Sequence, residues 1–248
     1  MIAAFRKPTQ IKSTFWLAYF MASIGFLGLF SAFLLGSPLY LLGRVFPPAT
    51  SVADRILRRA IWTLMKVQPW FDGNVEIPAN PGPVLIVSNH RSHLDAFILL
   101  SRVAGIRILA KDSLFRVPFL GIMMRLMHQI PVKSGQMESY FEAMEVVKAR
   151  LSRGETVHVF PELTRCPPGF RGTLKFSVLP FQAAIQQNAK ILPVVFKGTD
   201  LAWSKGTLGI SWRAPIVARA LEPVDPAAFS SALELKNAVQ HRIDQALS

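Results

Sequence analysis

From Ser13 to Gly43 the chain carries no charged residue. A helix of that length would reach about 45 Å at ~1.5 Å per residue, well past the roughly 30 Å of a bilayer's hydrocarbon core. One plain span therefore does not account for it, and Gly36-Ser37-Pro38 is the natural place for a break. Two arrangements fit: a span from Thr14 to Leu35 followed by an interfacial turn, or a bent helical pair that dips into one leaflet and returns. Basic residues flank the stretch on both sides, Arg6, Lys7 and Lys12 before it and Arg44, Arg55, Arg58 and Arg59 after it, so the excess of cations that fixes membrane orientation gives no clear direction. A cleaved signal peptide fits less well, because the stretch is long for one and no small-x-small cleavage site precedes Arg44.

The pattern then changes to a helical period. Over Ser51–Val67 the apolar residues Val52, Ile56, Ala60, Leu64 and Val67 form one stripe, with Asp54, Arg55, Arg58, Arg59 and Lys66 away from it and Ser51 available as a cap. Such a helix either packs on a core or lies on an anionic membrane surface. Gln68 to Gly82, with Pro69, Asp72-Gly73, Pro78, Pro81 and Gly82, reads as a linker holding a short strand at Val75–Ile77. It divides the chain into an attachment segment, residues 1–67, and a main domain, residues 68–248.

Within that domain short apolar runs alternate with helical patterns. Strands are expected at Val84–Val87, Arg107–Ala110, Gln129–Val132, Thr156–Phe160 and Ile191–Phe196, with more strand in Gly209–Val217. Helices are expected at Leu94–Val103, Pro118–Met127, Met137–Leu151, Leu174–Gln187 (with Pro180 arguing for a break) and Ala227–Leu247. This alternation predicts an α/β fold, a mostly parallel sheet flanked by helices.

Charge narrows the partners. The 28 Lys and Arg outweigh 15 Asp and Glu to give a net charge of +13, while 51% of residues are hydrophobic. The balance calls for an anionic partner, and the apolar bias favours anionic lipid over nucleic acid, for which no basic-aromatic motif is present. The single Cys166 rules out an intramolecular disulfide, and no Cys/His spacing suggests a metal site.

Three stretches could carry chemistry. In Val87-Ser88-Asn89-His90-Arg91-Ser92-His93-Leu94-Asp95 a buried strand ends in polar residues and a helix follows. Ligands favour such carboxyl ends of parallel strands. A neutral imidazole can take a proton from a hydroxyl, and a carboxylate on its other nitrogen fixes its tautomer. His90 and Asp95 could pair in this way if His90 precedes the helix. The spacing fits equally well a capped helix start, with Asp95 serving the helix N-terminus. His93 is expected to be structural. The second stretch is Val159-Phe160-Pro161-Glu162-Leu163-Thr164-Arg165, whose Glu162 and Arg165 would reach the same sheet edge; Arg suits phosphate, but an ordinary surface ion pair gives the same pattern. The third runs from Lys111 at a strand end past Arg116 to Lys133, three cations for an anionic substrate or three solvated loop charges. No Gly-x-Ser-x-Gly elbow and no phosphate-binding glycine loop occur. Met123, Met124 and Met127 either line an apolar groove for a fatty chain or fill the core.

The order of these blocks resembles the glycerolipid acyltransferases, the group containing bacterial 1-acylglycerol-3-phosphate acyltransferase. His90-x-x-x-x-Asp95 is similar to that family's His-x4-Asp signature. Phe160-Pro161-Glu162-Leu163-Thr164-Arg165 is similar to its Phe-Pro-Glu-Gly-Thr-Arg, the stretch Ala110 to Val132 to its second block, and Ile191-Leu192-Pro193-Val194 to its fourth. The resemblance implies acyl transfer to a lysophospholipid hydroxyl. The donor would be acyl-CoA or an acyl-acyl carrier protein, acting as co-substrate with no resident cofactor. It implies His90 as general base, Asp95 as its orienter, Arg165 with Lys111 on the acceptor phosphate, and Glu162 helping to bind or position the acceptor, with Thr164, Arg116 and Lys133 in the same binding region. It also implies attachment to an anionic membrane surface with the site on the cytoplasmic side. The sequence departs from the family at Leu163, where the family has Gly; at Lys133, where it has an Arg nearby; at Phe176-Ser177-Val178-Leu179; and at Cys166. Most of these departures surround acceptor recognition. They admit a different lysophospholipid or a lyso-ornithine-type acceptor. A non-catalytic lipid-binding protein on the same fold and a thioester or lipid hydrolase are the remaining readings.

Overall fold

The computed structural model describes residues 15–66, 71–167, 169–203 and 214–248. The basic residues Arg6, Lys7 and Lys12, the expected span start at Thr14, the expected helix end at Val67 and the first part of the strand expected over Gly209–Val217 lie outside them.

The uncharged stretch forms one helix, α1 (Phe15–Leu42), with Pro38 inside it. The break expected at Gly36-Ser37-Pro38 is absent. Proline removes one i→i−4 hydrogen bond and costs about 3 kcal/mol in a helix interior, but Ala32 and Tyr40 on either side are buried in the core, and that packing carries the helix through. The chain turns instead at Gly43, where a Cβ would stand 2.0 Å from Thr50 Oγ1, so only glycine fits there. The second helix, α2 (Pro48–Lys66), returns along the first. Within α1, Ser23–Leu42 is apolar and long enough to cross a membrane.

In α2 the buried stripe is Ala49, Ala53, Leu57, Ile61 and Met65, one position later than the expected Val52–Ile56–Ala60–Leu64 stripe. The helix has two apolar faces. Leu57, Ile61 and Met65 share a core with Ile86, Leu94 and Ile98, while Leu64 lies against Gly28 of α1, where a Cβ would be 2.4 Å from it. A single-stripe reading of the pattern cannot separate two adjoining faces.

Seven strands among the described residues form one sheet in the order β1-β7-β6-β2-β5-β3-β4. They are β1 (Phe71–Glu76), β2 (Leu85–Ser88), β3 (Arg107–Lys111), β4 (Ile130–Val132), β5 (Val157–Val159), β6 (Ile191–Lys197) and β7 (Ala214–Ala220). β6, β2, β5, β3 and β4 run parallel; β7 pairs antiparallel with β6 and parallel with β1. The expected α/β class is thus found, with β1 starting earlier than Val75. Central β2 and β5 are buried at every position, as strands covered on both faces must be.

The helices are α3 (His93–Arg102), α4 (Leu120–Leu126), α5 (Met137–Ser152), α6 (Leu179–Gln186), the short α7 (Thr199–Ala202) and α8 (Ala232–Leu247). The helix expected from Leu174 begins only at Leu179, with Pro180 in its first turn, where a missing N–H costs nothing. The helix expected over Pro118–Met127 is preceded by a 3-10 turn, Asp112–Arg116. Met123, Met124 and Met127 are all buried, two of them in the core shared with Ile86. They are core residues; Ile122 and Arg125 are what α4 exposes, with Phe119 exposed just before it.

Candidate active site

All five parallel strands end on one edge, and β2 delivers the histidine there. Where its backbone leaves the ladder, the Asn89 amide takes over: it donates to Phe196 O (2.9 Å) and accepts from Phe196 N (2.8 Å), so the side chain continues the pairing of β2 with β6. His90 follows, held on every side but one. Its N–H donates to Glu162 Oε1 at 2.9 Å, and its carbonyl accepts from Cys166 N at 2.8 Å. Its ring stacks on Phe160, centroids 3.7 Å apart at 17°. Nδ1 meets Asp95 Oδ2 at 3.0 Å.

Asp95 is fully buried. The same Oδ2 accepts from the backbone N–H of Arg91 (2.7 Å) and of Ser92 (2.8 Å), while Ser92 Oγ caps α3. The two readings of the His-x4-Asp spacing are therefore both present: the carboxylate that closes the capping box also orients the imidazole. An oxygen already facing two N–H donors requires the third partner to be a donor as well. Nδ1 thus carries the proton and Nε2 the lone pair. Nε2 has no hydrogen bond to any described residue, and the His90 side chain is 17% exposed, so this nitrogen is the one an incoming hydroxyl can reach.

The hydroxyls beside it are committed elsewhere. Ser88 Oγ pairs with Nε2 of the buried His158 at 2.9 Å, and Ser92 Oγ donates to Trp203 O. His158 also lies edge-on to Phe160, and burial, with His90 nearby, holds its pKa well below the ordinary imidazole range. The neutral ring braces Phe160, and through it His90, without placing a second charge behind the site. His93, in the first turn of α3, is likewise kept neutral: partial burial and the nearby Arg165 bring its pKa down to about 4.

The expected second stretch does arrive at His90. Glu162 is 5% exposed, and its other oxygen accepts from Cys166 Sγ (2.8 Å) and Leu174 N (3.0 Å). Its carboxylate is thus turned inward onto three chain segments, leaving neither oxygen toward an acceptor. Burial raises its pKa while these donors oppose the shift, and beside it the Cys166 thiol is pushed up to about 12 by its own burial and the carboxylate. Arg165 is half-buried, and its charge is felt by His93 and Asp95. Thr164 is exposed beside it.

Of the three expected loop cations, Lys111 and Lys133 come together at the same edge, since Lys111 is in register with Val132; both are exposed. Two strand spacings of ~4.8 Å separate β3 from β2. Arg116 differs: it pairs with Asp112 within the 3-10 turn, so its charge is already countered.

Leu163 adopts φ +60°. The left-handed conformation costs an L-residue about 1–2 kcal/mol, and it explains why glycine suits this position. Leucine keeps the backbone of the loop at that cost, with its side chain 52% exposed. Leu163→Gly is expected to raise stability by a few tenths to about 1 kcal/mol, the relieved strain less the entropy glycine adds to the unfolded chain. Chemical denaturation measures it, and a loss of stability would show that the leucine side chain contributes packing.

Sequence reasoning missed Arg91 and Gln240. The Arg91 side chain is buried and donates to Phe170 O (2.7 Å) and Gly172 O (2.8 Å). Gln240 of α8 bonds Thr173 Oγ1 and Leu174 O at 3.0 Å. Together they fasten the segment that carries Glu162 and Arg165 over the sheet edge. Arg91 lies inside the signature, but its hydrogen-bond partners are backbone carbonyls some eighty positions away, with the Asp200 carboxylate at 3.8 Å, and residue types do not announce such pairings.

The fold and site define a class by their geometry: a mostly parallel α/β sheet with a histidine oriented by a buried carboxylate at its carboxyl edge, and both neighbouring serine hydroxyls hydrogen-bonded elsewhere. A family model described as acyltransferase matches residues 71–197, just over half of the chain, and the chain belongs to that family. It is similar to the chloroplastic 1-acyl-sn-glycerol-3-phosphate acyltransferase LPAT1 of Arabidopsis thaliana, 29% identical over 60% of this chain and 43% of that protein. It is similar also to the 1-acyl-sn-glycerol-3-phosphate acyltransferases of Saccharomyces cerevisiae (29% identical, 70% and 58% covered) and Neisseria gonorrhoeae (32%, 50% and 47%). The chain spans about half the length of the curated relatives it matches. In structure it resembles the 1-acyl-sn-glycerophosphate acyltransferase PlsC of Thermotoga maritima, with a TM-score of 0.68 at 24% identity over 92% of this chain and 96% of that one. That likeness establishes the fold.

Proposed function

We propose that the chain transfers a fatty acyl group from an acyl-CoA or acyl-acyl carrier protein thioester to the free hydroxyl of 1-acylglycerol-3-phosphate, giving phosphatidic acid. The observation that carries this reading is His90, with Nδ1 fixed on Asp95 and Nε2 open at the carboxyl edge of the sheet. The relatives named for this activity supply the substrate class.

In this mechanism Nε2 takes the proton of the acceptor hydroxyl as its oxygen attacks the thioester carbonyl. The tetrahedral intermediate collapses, the C–S bond breaks, and the imidazolium returns the proton to the departing thiolate. The products are an ester and a free thiol, and His90 ends as it began. The Asp95 carboxylate stabilises the imidazolium through the step. Arg165, with Lys111 and Lys133 across the edge, binds the acceptor phosphate as a fork and two point charges; Arg116, held by Asp112, is less available. Glu162 positions His90 and the Arg165 loop. Exposed apolar residues of α1 and α4, Leu27, Leu34, Leu35 and Ile122 among them, with Phe119 just before α4, and the net positive charge support attachment to an anionic membrane surface; the cytoplasmic side is the side this reading assigns to the site.

The test is the purified chain with a labelled acyl thioester and a panel of lyso-lipids. Transfer to 1-acylglycerol-3-phosphate is expected. Arg165→Gln should raise the KM for that acceptor by about ten- to a hundredfold, the loss of one charge-assisted phosphate contact, while changing kcat much less. Transfer only to acceptors without a phosphomonoester would overturn the substrate assignment, and thioester cleavage with no acceptor present would make the chain a hydrolase.

A further inference from the structure

On the opposite side of the sheet from His90, the turn between α1 and α2 meets the end of α4. A cavity of about 310 Å³ opens there, lined by Tyr40, Arg44, Thr50, Ile122, Arg125 and His128 among others. It lies at the amino edge of the sheet: Arg107, the first residue of β3, reaches Met127 O just before His128, whereas Lys111, four residues and ~13 Å along the same strand, stands at the catalytic edge. The volume is at the low end of the ~300–1,000 Å³ of ordinary ligand pockets.

The charges around the cavity do not balance. Arg44, Arg107 and Arg150 all act on His128, against the carboxylate of Glu155, and the other carboxylate nearby, Asp54, acts on Tyr40 while paired with Arg58 at 2.9 Å. The Glu155 carboxylate is shared by Arg107 (2.7 Å) and Arg150 (3.0 Å), and Arg44 and Arg125 have no carboxylate partner among the described residues. The cavity also receives Thr50 from the first turn of α2, a 19-residue helix with no acidic residue there; the N–H groups of Ala49 and Thr50 are bonded to Phe46 O and Pro47 O, so this turn contributes the Thr50 hydroxyl and the positive end of the dipole, not free N–H donors. The carbonyls at the end of α4 that would repel an anion are occupied by their own chain, through the N–H groups of Met127, His128 and Gln129. Exposed Ile122 lines the cavity, and the residues flanking Gly43 and Arg44 along the chain, Leu41, Leu42, Val45 and Phe46, are exposed and apolar.

We propose that this cavity is a second anion site, separate from the catalytic edge, that takes the phosphate of a membrane phospholipid headgroup. Arg44 and Arg125 grip it, the Tyr40 and Thr50 hydroxyls offer donors, and the apolar rim meets the acyl region of the same lipid. The shared chemistry is phosphate; the rim is what favours a lipid over the free ion. The site gives the α1–α2 turn a fixed depth at the membrane surface, and it does not depend on the acyl-transfer reading, since none of its residues belongs to the catalytic edge.

The experiment uses the full chain in uncharged detergent micelles, titrated with a short-chain phosphatidylglycerol, with the diacylglycerol of the same chain length, and with inorganic phosphate. Phosphatidylglycerol is expected to bind, diacylglycerol to bind at least tenfold more weakly, and Arg44→Gln/Arg125→Gln to lose at least tenfold in phosphatidylglycerol affinity. Both arginines are exposed, so the variant keeps its fold, checked by an unchanged circular-dichroism spectrum and denaturation midpoint. Arg219→Gln/Arg242→Gln removes the same charge from exposed positions elsewhere and should bind as the parent does. Unchanged affinity in the Arg44/Arg125 variant, or an equal loss in the Arg219/Arg242 variant, overturns the site. Inorganic phosphate binding as tightly as the lipid, and losing affinity in the same variant, supports the cavity and assigns it to the free ion.

Discussion

His90→Ala is expected to lower kcat for acyl transfer by about 10²- to 10⁴-fold, the range supplied by a positioned general base, and to leave the KM for the acceptor within a fewfold of the parent. The separation follows from the geometry. The His90 side chain touches Asp95 and Phe160 within the protein, while the cations expected to hold the acceptor phosphate sit on other loops. The backbone bonds of His90, to Glu162 Oε1 and from Cys166 N, do not need the ring, so the loop keeps its path. What is lost is the stacking against Phe160 and one hydrogen bond to Asp95, on the order of 1–2 kcal/mol of stability. Steady-state kinetics with both substrates varied, beside a denaturation curve, read these quantities separately. Full activity in His90→Ala would remove the proposed base, and a collapse in KM with kcat intact would assign the ring to substrate binding instead.

How legible this was differs from residue to residue. The His90–Asp95 pair could be read as a pair because the residues are close in sequence and lie at the junction of an apolar run and a helix. Whether Asp95 served the helix or the histidine could not be read, because one oxygen serves both and residue types do not report how many bonds an atom makes. Glu162 was legible as a member of the site but not in orientation. Its partners are main-chain N–H groups of His90 and Leu174 and the thiol of Cys166, and a backbone donor has no signature in the sequence. The same holds for Asn89 and Arg91, whose partners lie 107 and about 80 positions away. In the attachment segment the apolar character of α1 was plain, but its length was not. Pro38 signals a break by local cost alone, and packing on both sides of it outweighs that cost. Leu163 is the reverse case. It stands where the family has glycine, and its φ of +60° shows a backbone conformation that favours glycine held here by a leucine.

Asp95→Asn separates the two duties that one carboxylate performs. Asparagine can place its oxygen where Oδ2 stands and accept from Arg91 N, Ser92 N and His90 Nδ1 as before. Its amide nitrogen then occupies the position of Oδ1, which has no hydrogen-bond partner among the described residues in its buried site. The capping box survives, since the amide oxygen can still accept from the Ser92 N–H while Ser92 remains the N-cap, and the loss of negative charge at the helix start costs about 0.3–1 kcal/mol. A buried amide left without an acceptor adds about 1–3 kcal/mol, so the variant folds with reduced stability. The chemistry loses more. No negative charge remains to stabilise the imidazolium, and the amide can also turn its nitrogen toward Nδ1, which would place the imidazole proton on Nε2 and abolish the base. A fall in kcat of about 10²- to 10⁴-fold is expected, close to that of His90→Ala, and the double variant should be little worse than either single one because the two act as a unit. Asp95→Ala behaves differently: it strands the N–H groups of Arg91 and Ser92 in a buried site, at about 1–3 kcal/mol each, so its loss of activity would follow loss of fold. If Asp95→Asn keeps most of its kcat while Asp95→Ala loses stability, Asp95 is a helix cap alone, and the orientation of His90 must be assigned to Phe160 and Glu162.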